Sequence, residues 1–216
     1  MTHTLHRRGS KESLEADYVV LAMSAKGFND TGAATKLTKI REIMSKHNPI
    51  NGGDMKTGNI FMQRKGVIFE ETRDISIVHG VFSNVQDLVG ALTDIREADF
   101  GISVVVSGLF DETTRAATRA GCKCHTVEYS LGIFGRTELL PKEEILEITT
   151  MCGHHQVSSR LVEKLADDVK TGRLTPEAAS EQLAYPCVCG VFNPVRAAGL
   201  LAKIAEKKDT SPLATS

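Results

Sequence analysis

Hydrophobic positions along the chain change their period several times, and the changes divide it. Asp17-Tyr-Val-Val-Leu-Ala-Met-Ser24 is a short apolar run of strand length. Residues 33–46 follow, with Leu37, Ile40, Ile43 and Met44 at helical spacing. Shorter apolar runs at 59–64, 67–71 and 75–79 predict three more strands. Ser83 and Gln86 fit a capping box opening a helix that carries Val85, Leu88, Val89, Leu92 and Ile95. Residues 101–107 and about 122–128 predict strands on either side of a helix capped by Asp111 and ended by Gly121.

Beyond Pro141 the strand signals stop. Helices are predicted over 142–148, 154–170, 176–184 and 194–207, the last two opened by Thr175-Pro176 and Asn193-Pro194. The resulting fold class is α/β: a mixed or parallel sheet core with crossover helices, followed by a helical C-terminal segment. The expected division is a polar N-terminal arm over 1–16, an α/β domain over 17–140, a helical segment packed on it over 141–208, and a flexible tail over 209–216.

Composition narrows the function classes. Hydrophobic residues are 41% of the 216 and aromatics only 5%, enough aliphatic material for a packed core. With 26 basic and 27 acidic residues the net charge is -1, and no basic stripe marks a nucleic-acid surface. No apolar run has the roughly 20 residues of a membrane span. No apolar segment follows the basic residues at the start, so no secretory signal is expected, and the cytoplasm is the expected location.

The five cysteines change the picture most, because all of them lie between Cys122 and Cys189. They form three islands: Cys122-Lys-Cys124-His125, Cys152-Gly-His154-His155 and Pro186-Cys187-Val-Cys189-Gly190. In a reducing compartment such clusters point to metal or thiol chemistry rather than disulfides. Thiolate and imidazole suit zinc, and thiolates suit an iron–sulfur cluster. The leading expectation is a metal site drawn from Cys122, Cys124, His125, Cys152, His154, His155, Cys187 and Cys189, with a redox or small-molecule-converting role. A second is a metal-free thiol enzyme whose nucleophile, Cys152, is activated by the start of the 154–170 helix. A third is a non-enzymatic α/β module that assembles with itself or a partner. Buried cysteines also serve simply as small core residues.

Weaker signals complete the list. The Gly27–Gly32 loop lies between a strand and a helix, where backbone amides can hold an anion, although Ala33 and Ala34 stand where a phosphate loop requires Lys and Ser or Thr. His79 ends a predicted strand and is a candidate catalytic group on a rim with Ser107, Glu128, Tyr129 and the first cysteine island, with Arg136 supplying charge for a small-molecule substrate. Residues 51–58, Asn-Gly-Gly-Asp-Met-Lys-Thr-Gly, read as a long polar loop.

Overall fold

The computed structural model describes residues 6–63, 67 and 70–207. Its centre is a five-stranded sheet in the order β3-β2-β4-β1-β5. The strands are β1 (Tyr18–Met23), β2 (Asn51–Asp54), β3 (Gly58–Asn59), β4 (Ile77–Phe82) and β5 (Ser103–Ser107). Eight α-helices accompany them among the described residues: α1 (Lys11–Leu14), α2 (Ala33–Ser45), α3 (Val85–Ala98), α4 (Phe110–Arg119), α5 (Glu143–Thr149), α6 (Ser159–Lys170), α7 (Pro176–Ala184) and α8 (Pro194–Glu206).

Every strand pairing is antiparallel, which corrects the expected parallel character. β1 and β2 run the same way with β4 between them, and β4 and β5 run the same way with β1 between them. The helix α2 joins the first pair and α3 the second. An apolar run such as β1 reads like a parallel-sheet strand because it is buried on both faces. That burial comes from helices on both sides and says nothing about strand direction.

Alternation along β1 and β4 divides the interior into two cores. Tyr18, Val20, Ala22, Val78 and Phe82 pack with Leu37, Ile40, Met44, Leu88 and Leu92 of α2 and α3. Val19, Leu21 and Val81 pack on the other face with Ile148, Val162, Leu165, Leu183 and Leu201 of the C-terminal helices and with Phe192 of the connection between α7 and α8. Three of the expected helix starts move. The helix expected to be capped by Asp111 begins at Phe110, with Leu109 at the cap position and Asp111 inside its first turn. The side chain of Asn84, not Ser83, caps α3, accepting from the Asp87 N–H. The helix α6 begins at Ser159, capped by Ser158, five residues later than expected.

Three of the expected strands do not form as such among the described residues. Residues 60–63 form turns, and the Glu71 N–H bonds the Val67 carbonyl, a helical contact within the expected 67–71 strand. Residues 68 and 69 of that strand and 64 of the preceding one lie outside the described residues, as does the tail over 209–216. Residues 122–130 adopt no regular structure and pair with no strand among the described residues. The polar arm is built into the fold: Arg8 N–H bonds the Thr150 hydroxyl at 3.0 Å, and the Arg7 side chain is 6% exposed. Among the described residues no helix is long and apolar enough to cross a membrane.

Candidate functional site: a buried thiol cluster

The second and third cysteine islands meet on the face of the sheet covered by α5–α8, and the first island does not join them. Cys152, Cys187 and Cys189 are each fully buried in that core. Cys152 lies on the turn after α5, where its N–H bonds the Thr149 carbonyl at 3.1 Å. Cys187 and Cys189 lie on the connection from α7 to α8. Their sulfurs are 3.9 Å apart, and the Cys189 Sγ is 3.7 Å from the Nδ1 of His154, whose ring is exposed. Contacts thus run as a chain, Cys152 to Cys187 to Cys189 to His154.

Backbone amides converge on these sulfurs. Cys152 Sγ accepts from the N–H groups of His154 and Gln156, Cys187 Sγ from Phe192, and Cys189 Sγ from Val191. Such bonds favour the charged form of a thiol. The three thiols still differ. The bond donated by the Cys187 S–H, aided by the Val191 amide, outweighs burial and lowers Cys189 below its ordinary value. Cys187 is helped downward by the Cys152 bond, but its own bond to Cys189, burial and repulsion from Cys189 outweigh that and leave it at about 12. The hydrogen bond to Cys187, and then burial, push Cys152 far above the usual thiol range. Cys189 therefore ionises first.

This ordering removes the expected activation of Cys152. The helix expected to begin at His154 begins at Ser159, so Cys152 follows the carbonyl end of α5 instead of preceding an amide end. The negative end of a helix dipole opposes a thiolate.

Three polar groups hold the two loops in place. Arg7, paired with Asp17, donates through Nη2 to the Met151 carbonyl at 3.3 Å and to the Val191 carbonyl, so one guanidinium spans both cysteine loops. The Asn59 amide donates to the carbonyls of Ala184 (3.1 Å), Tyr185 (3.2 Å) and Cys187 (2.7 Å). Asn51 donates to the Phe192 carbonyl at 2.7 Å. The third island also lies directly on β2. A Cβ on Gly190, whose φ is +75°, would come within 2.5 Å of the Gly52 carbonyl carbon, and one on Gly53 within 3.1 Å of the Cys189 carbonyl oxygen.

The expected polar loop over 51–58 is therefore largely β2 and β3, whose glycines let the cysteine loop approach. Arg7, Asn51 and Asn59 were not among the expected site residues. The legible signal was Asn51-Gly-Gly53 itself, since paired glycines within a strand mark close approach by another backbone.

The remaining candidates are placed elsewhere. Cys122 packs against the opposite core, beside α2 and α3. Cys124 and His125 are exposed on the irregular segment, and the His125 Nδ1 contacts the Thr126 hydroxyl. His155 is exposed with φ +55°. His79 lies inside β4, opposite Leu21 and Gly53 and 2% exposed, on the face of the buried thiols. It does not form a rim with the first island: Glu128 and Tyr129 are exposed, and Arg136 pairs with Glu138 at 2.9 Å. The amides expected to serve an anion near Gly27 and Gly32 are taken by the protein's own carboxylates. Gly27 N–H bonds Asp30, while Gly32 and Ala34 N–H bond the two oxygens of Asp74 at 3.1 and 2.7 Å.

Among the described residues no group of three or more His, Cys, Asp or Glu side chains stands ready-made around a common ion position. Comparison of the chain with protein-family models, with curated proteins and with solved structures found no match in any of the three.

Proposed function

We propose that Cys152, Cys187, Cys189 and His154 bind one zinc-type ion, and that this ion locks the C-terminal helices onto the sheet. The observation that carries the reading is three buried sulfurs from two loops, each receiving backbone N–H bonds, with an imidazole beside the most acidic of them. Three thiolates and one imidazole are a usual structural zinc donor set. With Zn–S near 2.3 Å and Zn–N near 2.0 Å, tetrahedral ligands stand about 3.5–3.8 Å apart. The contacts of 3.9 and 3.7 Å are close to that spacing. Binding turns the chain of contacts into a single coordination sphere. A shared ion favours this set over an iron–sulfur cluster, whose ligands are spread over several irons.

The buried sulfurs leave no open coordination position for a substrate, so the ion's role is structural, and the exposed His154 marks its route of entry. Reduced thiols of this kind fit a cytoplasmic setting.

Metal analysis of protein purified without oxygen tests the reading. One equivalent of zinc is expected in the full chain, falling at least tenfold in Cys187→Ser and unchanged in Cys124→Ser. Protein free of metal that also fails to develop a thiolate-to-metal band with Co²⁺ would overturn it. A metal-free thiol enzyme is the second reading, favoured by the lowered Cys189 beside His154. It requires Cys189 to alkylate far faster than the other thiols in metal-free native protein.

A further inference from the structure

The segment after α4 has the sequence pattern of a strand, and among the described residues it pairs with no strand. Val127, Tyr129, Leu131 and Ile133 alternate with Glu128, Ser130 and Gly132. The four apolar side chains are 48%, 67%, 89% and 45% exposed, so the apolar residues of this run stand in contact with solvent. Single exposed apolar residues are ordinary, but a contiguous stripe marks an interaction surface. Alternation of this length suits a β-strand, and an added strand docks on an open sheet edge.

The same chain carries such an edge. Among the described residues β5 ends the sheet and pairs only with β1. Edge strands are normally protected by charge, proline, bulges or a covering element. Ser103-Val-Val-Val-Ser107 has no charged residue and no proline. On the face of β5 and β1 that bears the thiol core, Val105 and Met23 remain 46% and 36% exposed. The stripe already reaches the neighbourhood of β5, for the Tyr129 ring lies 5.7 Å from that of Phe110, at the start of α4.

We propose that two copies of this chain exchange strands: residues 127–133 of each copy pair with the open edge of β5 in the other. A two-fold axis satisfies both edges at once, because every copy supplies one edge and one strand. Backbone bonds to β5 supply the affinity, and the stripe lies beside Val105 and Met23 of the other copy. This inference is independent of the zinc reading.

Sedimentation and light scattering of the full chain test it, together with hydrogen exchange at β5. A dimer is expected, with protection of the β5 amides that do not bond to β1. The double variant Tyr129→Asp/Leu131→Asp is expected to weaken the dimer at least a hundredfold and remove that protection. Both side chains are mostly exposed, so an unchanged melting temperature of the monomer checks that folding is intact. Val105→Lys, on the edge itself, is expected to do the same. A full chain that stays monomeric at about 100 μM would overturn the proposal. A dimer that survives the double variant would also overturn it.

Discussion

The molecule contains two Cys-x-Cys pairs beside a glycine, and they meet opposite fates. Cys187 and Cys189 are buried, held by backbone amides and seated on β2. Cys122 and Cys124 begin a segment that runs over the surface and has no ladder partner among the described residues, one thiol against the opposite core and the other in solvent. The spacing is identical, so spacing alone does not make a site. The difference lies in what other parts of the chain bring to each pair. Arg7, Asn51, Asn59 and two glycines of β2 converge on the second pair. The first pair has as its glycine neighbour Gly121, where an added Cβ would meet only the Arg96 side chain, at 3.3 Å.

The comparison breaks most sharply at the glycines. Gly190→Ala combines a left-handed backbone with a clash against rigid strand backbone. It is expected to destabilise the fold by about 3 kcal/mol or more in urea unfolding. Gly121→Ala has a similar φ of +72° but meets a flexible side chain, so about 1 kcal/mol is expected. Equal losses would show that the close approach of Gly190 to β2 contributes nothing.

Next in size is Asn59→Ala, which removes the donor shared by three carbonyls around the Cys187 loop. A loss of about 2 kcal/mol is expected, read from the same unfolding curves, because buried acceptors are left unsatisfied. The smallest effect belongs to the exposed pair. Cys124→Ser is expected to change stability by less than about 0.5 kcal/mol, as surface substitutions do. In native protein, a maleimide is expected to label Cys124 at once, whereas Cys152 and Cys187 react only after unfolding. Prompt labelling of Cys152 would contradict the burial that separates the two pairs.

Much of the fold was legible where the determining contacts are local. The helices α7 and α8 begin close to their expected starts, because a capping side chain and a proline act within one turn. The run over 17–24 forms β1, since a continuous apolar run is buried wherever it falls. The strand over 75–79 was placed two residues early, because Gly80 reads as a stop although it continues β4 beneath Met44. The run over 122–128 reads as a strand following the stop at Gly121, but a strand also needs a neighbour, and none pairs with it among the described residues. In the candidate site, Cys152, His154, Cys187 and Cys189 were legible as thiol and imidazole islands. The restraints on them were not, for Arg7 lies in an arm that looks merely polar and Asn51 and Asn59 in a stretch that looks like a loop.

By itself, then, the sequence determined the helices, the central strand and the loops on which thiols occur, since each depends on groups within a few residues. Only the tertiary structure decided the antiparallel strand order, the two separate cores and which cysteines meet. Those outcomes rest on contacts between residues far apart in the chain, such as Val19 with Val81 and Ser107 in the sheet, and Arg7 with Val191 and Asn59 with Cys187 at the thiols. No local pattern encodes them, because their stabilisation exists only once the sheet has brought both partners to one face.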